Sequence, residues 1–352
     1  MVLDDSQIYQ RLDPSDMHQR IADLPIQCCH AWEMGLRLPL PEEYSQVNRI
    51  VTVGMGGSAI GGDLIAGLAS LEEAPSITPV RDYLLPNWVG PQTLVVVSSY
   101  SGDTEETLSA FMEALDRGAK IVAITRGGQL QLHAERGKIP LLKIDFHGEP
   151  RAAVGYSFLA PLGILSKLRF MKDKSMDLGE AVQVVKEKAA VWSKDNATRH
   201  NLAKQIAQEL QGRMVVVYGA SIMSGVARRW KTQFNENSKS WAFAEELPEL
   251  NHNSVVGYPL PEAVKERAFV LLLQSSYSHP RTNLRYRVTQ EILTRVGVRH
   301  QTIEAHGNSA LAQMLSTILL GDFISYYLSI LNGVDPSPVE VIGYLKERLS
   351  EL

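Results

Sequence analysis

The sequence predicts an α/β protein made of two similar units, each a parallel sheet flanked by helices in a doubly wound, flavodoxin-like arrangement. Three observations predict it. Short β-branched runs alternate with segments of helical period, the order of a parallel sheet covered on both faces. The alternation pauses over residues 173–212 and then restarts. A hydroxyl-rich turn occurs twice, as Val97-Ser98-Ser99-Tyr100-Ser101 and as Gln274-Ser275-Ser276-Tyr277-Ser278, each time after a predicted strand. A second pair of similar turns, Val53–Ser58 and Val216–Ser221, follows the same order, which points to duplication of one unit.

The elements can be taken in chain order. Residues 1–48 are expected to form a helical extension at the periphery. Asp13-Pro14-Ser15-Asp16 starts a helix, and Met17, Ile21 and Leu24 follow at helical spacing. Residues 49–172 form the first unit. Its strands are predicted at 49–54, 93–98, 120–125 and 141–145, and its helices after the glycine-rich turn, at 104–117 and at 152–171. Residues 173–212 carry Lys, Glu and Gln at helical spacing and read as linking helices. The second unit, 213–332, has strands at 213–218 and 268–274, a helix ending near Lys239, another at 284–295 and a long apolar helix at 309–331. Pro336 and Pro338 then precede a C-terminal helical tail over 333–352.

Composition narrows the class. A length of 352 residues suits two units at roughly 150 residues each. Lys and Arg total 35 against 39 Asp and Glu, a formal charge of −4, which gives no electrostatic footprint for nucleic acid or an anionic membrane. The two cysteines, Cys28 and Cys29, are adjacent, a spacing that strains a disulfide. The opening residues lack the basic start and apolar block of a signal peptide. The longest apolar run is broken by Gly321, Asp322 and Ser325, so no bilayer span is expected. A cytoplasmic protein without nucleic-acid or membrane partners is the expectation.

In an open parallel sheet, ligands sit at the carboxyl ends of the strands, near helix N-termini. The turn Gly54-Met55-Gly56-Gly57-Ser58-Ala59 fits a G-x-G-x-x-A dinucleotide fingerprint, with Asp82 near the expected acidic position, and equally fits a turn needing glycine for close packing. No lysine follows the glycines as a Walker A loop requires. The second turn, Ser98–Thr104, crowds four serine and threonine hydroxyls onto a strand end before a helix. Hydroxyls, free backbone N–H groups and a helix dipole suit a phosphate monoester, and helix capping by Ser101 or Thr104 is the alternative. In the second copy, His279-Pro280-Arg281 replaces Gly102-Asp103-Thr104, so capping is expected there.

At these residues the chain resembles sugar isomerase (SIS) domain proteins, and more closely the bifunctional phosphoglucose/phosphomannose isomerase family. The matching stretches are GMGGSAIGGD at 54–63, SSYSGDTEET at 98–107, EPRAAVGYS at 149–157, FNENSK at 234–239, PELNHN at 248–253 and GVDPSPVEVIGYLKERL at 333–349. The resemblance implies two SIS subdomains, a homodimer with active sites near the subunit interface, and no metal or nucleotide cofactor. It implies interconversion of glucose 6-phosphate or mannose 6-phosphate with fructose 6-phosphate through a cis-enediol. Gly56, Gly57, Ser58, Ser99, Ser101 and Thr104 are the expected phosphate ligands.

Such an isomerase needs a carboxylate base, an acid or base for the ring oxygen and a cation near the enediolate. Glu236 falls at the family's catalytic glutamate, although a helical glutamate by itself reads as a solvated surface residue. His252 falls at the ring-opening histidine, whose role could be played across the dimer interface, and a structural histidine is the plain alternative. Lys346 aligns with a C-terminal lysine assigned to ring opening, against a solvated helix lysine. Arg151 suits the cation, against a surface arginine near a helix start, where the dipole makes a cation mildly unfavourable. No zinc-ligand spacing and no G-x-S-x-G elbow occur. A non-catalytic SIS sugar-phosphate sensor and an NAD(P)-binding oxidoreductase are the competing readings. The residues do not choose between the glucose and mannose epimers, because both reach the same enediol.

Overall fold

A computed structural model describes residues 2–351. Three helices, α1 (Ser6–Leu12), α2 (Met17–Ala22) and α3 (Leu24–Arg37), lead into β1 (Arg49–Val53), α4 (Gly56–Ala69), β2 (Ile77–Val80) and β3 (Thr93–Ser99). The first half continues through α5 (Glu105–Asp116), β4 (Lys120–Thr125), α6 (Gly128–Arg136), β5 (Leu141–Lys143) and α7 (Val154–Lys167). Helices α8 (Ser175–Trp192) and α9 (Leu202–Leu210) precede β6 (Met214–Gly219), α10 (Ile222–Glu236), β7 (Ala242–Glu246), α11 (Ser254–Gly257) and α12 (Glu262–Arg267). The chain ends in β8 (Ala268–Gln274), α13 (Pro280–Val296), β9 (Arg299–Glu304), α14 (Ala310–Leu331) and α15 (Glu340–Ser350).

Both sheets are wholly parallel, in the orders β2-β1-β3-β4-β5 and β7-β6-β8-β9. The central strands are the β-branched runs visible in the sequence, because a strand buried on both faces must be apolar throughout. Strands β2, β7 and β9 escape the sequence pattern, and all three are sheet edges. Pro79 in β2, the paired glutamates ending β7 and the polar Arg299–Glu304 run are residues an edge tolerates and a central strand does not. In each sheet the order reverses at one point, between β1 and β3 and between β6 and β8. The repeated turns lie at these two reversal points, where a doubly wound sheet opens its ligand crevice.

The N-terminal extension is not peripheral. Leu3, Met17 and Ala31 are buried, and α3 lies against α7. Glycine permits that approach: a Cβ on Gly35 would collide with the Ala160 carbonyl oxygen, and one on Gly163 would stand 2.8 Å from that of Trp32. Helix α13 also starts earlier than its apolar pattern suggests. Pro280 occupies its first turn, and His279 Nδ1 accepts the Arg281 N–H at 3.1 Å.

Helix α14 runs through the middle of the molecule, and every residue from Ala310 to Ile330 is buried. Contrary to the expectation from its polar interruptions, Ala310–Leu331 is long and apolar enough to cross a membrane by length and composition, but 94% of that apolar window is buried within the protein. The interrupting Asp322 pairs with Arg229 at 2.6 Å and accepts from Gln233 Nε2 at 2.8 Å, both on α10. The two halves meet where α4 packs on α10. Gly225 lets α10 close on Asp63 of α4, and Asp63 pairs with Arg81 and, at 3.2 Å, with Arg228.

Buried His18 gives the fold a measurable acid sensitivity. Its Nε2 accepts the Lys194 N–H at 3.0 Å, so the folded state holds the imidazole neutral, and burial lowers its pKa to about 4. The unfolded chain takes up this proton below about 6.5, so the stability contributed by neutral His18 is present above that pH and is lost as pH falls toward 4. The stability difference between wild type and His18→Gln in urea unfolding should shrink by about 3 kcal/mol between pH 7.5 and 4, the size of that shift. An unchanged difference would remove this role for His18.

Candidate active site at the switch point of the first sheet

The first crevice is built by two turns tied to each other. After β1, Gly54 lies so close to β3 that a Cβ would stand 2.8 Å from the Ser98 carbonyl oxygen. Gly56 has φ +52 and opens toward solvent. Gly57 brings the start of α4 onto the turn Pro150–Ala152, where a Cβ would meet the Arg151 nitrogen at 2.9 Å. Ser58 Oγ accepts the Tyr100 N–H at 3.0 Å, joining the first turn to the second.

The second turn does not use its hydroxyls as a helix cap. Thr104 is the N-cap residue of α5, yet its side chain makes no capping hydrogen bond. Ser99 Oγ donates to Thr104 Oγ1 at 3.0 Å and accepts the Gly102 N–H at 3.1 Å. Ser101 is exposed, and its Oγ accepts the Asp103 N–H at 3.3 Å. Gly102, at φ +78, is pressed against Gly127, so no side chain fits there. The hydroxyls of the turn do not all face the same way. Ser99 is 1% exposed and turned inward, so it shapes the loop, while Ser58, Ser101 and Thr104 lie nearer the surface. A cavity of about 410 Å³ opens beside Ser101, lined also by Tyr100, Arg126, Gly127 and Gly128.

Arg151 is not a surface arginine. It is 2% exposed and reaches four acceptors: Asn237 Oδ1 from Nε at 2.6 Å, the Pro336 and Ser337 carbonyls from Nη2 at 2.5 and 2.8 Å, and Glu236 Oε2 from Nη1 at 3.4 Å. Burial lowers its pKa, and the Glu236 and Glu149 carboxylates oppose that shift. Glu236 is the last residue of α10 and is partly exposed. The helix that carries it is pinned by the Arg229–Asp322 pair, by the bond from Gln233 to Asp322 and by Asn237 Nδ2 donating to Ser325 Oγ at 3.0 Å. Arg229 also donates to the Arg151 carbonyl at 3.0 Å, closing a network across the two halves.

The structure thus brings Arg151 and Glu236 together, with the glycine turn beside them. It does not bring in His252 or Lys346. His252 is exposed at the end of the turn Glu249–His252, and among the described residues no hydrogen bond or ion pair joins it to Glu236 or Arg151. Lys346 lies on α15, whose residues 340–349 are all exposed. Sequence reasoning missed Asn237, Asp322 and the Pro336 and Ser337 carbonyls. Asp322 had a legible signal, since a carboxylate inside an apolar run demands a buried partner. The carbonyls had none. Among the described residues, no three His, Cys, Asp or Glu side chains group as a metal would need.

Comparison with known proteins identifies relatives of the whole chain. Residues 199–349 match the family model for the bacterial phospho-glucose isomerase C-terminal SIS domain. The chain is 37% identical over 337 residues to a bifunctional phosphoglucose/phosphomannose isomerase from Caldicellulosiruptor bescii, covering 96% of this chain and 99% of that protein. Among solved structures, a hypothetical protein from Thermus thermophilus superposes with a TM-score of 0.72 at 17% identity, covering 98% of this chain and 92% of that one. The C-terminal domain of glucosamine-fructose-6-phosphate aminotransferase from Francisella tularensis does so with a TM-score of 0.69 at 14% identity, over 92% and 98% of the two chains. These two likenesses concern the fold.

The acceptors around Arg151 make a stability test. Lysine keeps the charge but cannot reach four acceptors from one planar fork. Arg151→Lys should leave buried carbonyls unpaired and cost at least about 2 kcal/mol in denaturant unfolding. An unchanged midpoint would show that the network is dispensable.

Proposed function

The chain belongs to the bifunctional phosphoglucose/phosphomannose isomerase family, and from this premise we propose how its residues divide the work of a hexose-phosphate aldose–ketose isomerase. The observation that carries the assignment is the Arg151–Glu236 contact at 3.4 Å, held beside the glycine turn of the first crevice. The substrate is a glucose or mannose 6-phosphate, and the product is fructose 6-phosphate. The phosphate lies at the start of α4 and α5, held by Ser58, Ser101, Thr104 and the backbone of Gly56 and Gly57. Ser99 holds Thr104 from behind. Hydroxyl donors and two helix N-termini suit a dianion without a lysine.

With the phosphate held there, the sugar extends toward Glu236. Its carboxylate takes the proton from C2, the electrons pass toward the C1 carbonyl, and a cis-enediol forms. The O2 hydroxyl proton passes to O1, the same carboxyl group returns its proton to C1, and the electrons left on O2 close the C2 carbonyl, giving the ketose. Arg151 has Nε and Nη2 committed to protein acceptors, so Nη1 is the edge it turns toward Glu236 and the developing enediolate. The flat enediol carries no memory of the C2 configuration, so both epimers pass through the same intermediate. No cofactor enters this sequence of proton transfers.

Ring opening requires a further acid–base group, and His252 fills that role from the second subunit of a homodimer, with Lys346 beside it. The reading rests on family membership and on the exposure of His252 within its own chain.

Glu236→Gln should lower kcat for both epimers by at least about a hundredfold, with fructose 6-phosphate binding kept, as a coupled assay and calorimetry would report. Full turnover in Glu236→Gln would remove the mechanism. Mixing inactive Glu236→Gln and His252→Asn proteins after partial denaturation and refolding should restore about a quarter of wild-type activity if the two residues act across a two-fold interface. Recovery of none would place His252 in the same chain as its Glu236.

A further inference from the structure

Lys239 touches Glu236 and has no part in the chemistry described above. It closes the FNENSK segment, just past the end of α10, in the left-handed region at φ +54, a conformation uncommon for a residue with a Cβ. The chain turns back there, so the Ser240 N–H reaches the Phe234 carbonyl at 3.1 Å. The Lys239 side chain folds onto the helix end, where unpaired carbonyls favour a cation. Its Nζ donates to the Glu236 carbonyl at 2.6 Å and to the Pro336 carbonyl at 3.2 Å. Pro336 offers the same oxygen to Arg151 Nη2.

An ammonium and a guanidinium therefore converge on one carbonyl. The groups facing Lys239 are Arg151 from the turn Pro150–Ala152, Glu149 next to it, Glu236 from α10 and Asp335 from the C-terminal turn. Burial and Arg151 lower the Lys239 pKa, and the three carboxylates oppose them. A link between two carbonyls needs only a neutral donor. Placing a second cation beside Arg151, on a left-handed backbone, carries a cost that a mere link would not justify. The arrangement suits a position whose geometry matters to the charge at Glu236.

We propose that Lys239 is a positioning residue for the isomerisation: its ammonium clasps the Glu236 carbonyl to the Pro336 carbonyl and so sets the Glu236 carboxylate beside Arg151. The proposal rests on Glu236 as the base. It joins the helix bearing the base to the turn that precedes α15, and thus fixes where the C-terminal segment leaves the site. The clasp weakens when the ammonium loses its proton, so the alkaline limb of kcat should fall below the ordinary lysine value of 10.5.

The test compares Lys239→Met, Lys239→Arg and Lys239→Gly with wild type and Glu236→Gln, using glucose 6-phosphate and mannose 6-phosphate across pH and recording thermal midpoints. Lys239→Met should lower kcat about tenfold or more, with KM within about threefold, because substrate binding elsewhere is intact. Lys239→Arg should recover most of kcat and hold it further into the alkaline range. Lys239→Gly should lower kcat like Met while matching or exceeding the wild-type midpoint, since glycine relieves the left-handed backbone. Activity and stability then move in opposite directions, which a merely structural lysine does not produce. A kcat within about twofold of wild type in Lys239→Met and Lys239→Gly would overturn the proposal. So would kcat and midpoint falling together in Lys239→Gly without recovery in Lys239→Arg. Should Lys239→Met fail to fold, the Gly and Arg variants decide. Full turnover in Glu236→Gln removes the base assignment itself. An inactive Glu236→Gln beside an unaffected Lys239→Met overturns the lysine alone.

Discussion

A buried guanidinium organises the site. Arg151 is almost wholly removed from water, and a cation in that setting is tolerated only when its donors are satisfied. Its acceptors come from two separate places: the end of α10, through Asn237 and the Glu236 carboxylate, and the carbonyls at Pro336 and Ser337. Satisfying it therefore fixes the Pro150–Ala152 turn, the end of α10 and the C-terminal turn relative to one another. Its own backbone carbonyl is held in turn by Arg229, whose charge is balanced by Asp322 inside α14. One residue links the surface chemistry to the centre of the molecule.

Close approach of backbones is the second constraint, and glycine supplies it. Gly57 lets α4 start against the Arg151 turn, and Gly35 and Gly163 let α3 lie along α7, which follows that turn. The N-terminal helices therefore belong to the core that positions Arg151. The two halves share a sheet plan but use it differently. In the second half the Gln313 side chain occupies the turn that corresponds to the Ser98–Thr104 turn of the first: it accepts from Ser275 Oγ at 2.7 Å and donates to Ser276 Oγ at 2.7 Å and to the Gly307 carbonyl at 2.9 Å. The Ser275 proton, given to a buried amide, is not offered to an anion. The duplicated turn is thus bound to Gln313 from its own half, and the second half contributes its helix α10 to the first half's site.

Much of this was legible in the residues. The β-branched central strands, the repeated turns and the apolar α14 reflect burial, which selects residue type directly. The motif stretches located Arg151 and Glu236 before any coordinates did. Edge strands such as β9 were not legible, because a strand paired on one side does not need a continuous apolar run. The burial of the N-terminal helices was also hidden, since an amphipathic helix reads the same wherever its apolar face is covered. The inward turn of Ser99 and the reach of Arg151 to Pro336 and Ser337 depend on backbone atoms, which every residue carries and no sequence pattern marks.

The sequence by itself determined the fold class, the placing of two hydroxyl-bearing turns at strand ends and the residue types that isomerisation needs, because spacing and chemistry are properties of the chain. Tertiary structure alone decided which groups meet. It set Arg151 against Glu236, tied Gln313 to the second hydroxyl-rich turn, and left His252 and Lys346 exposed within the single chain. The reason is that a contact between residues separated by 85 positions is set by how sheets and helices pack, and packing is decided by the whole chain at once.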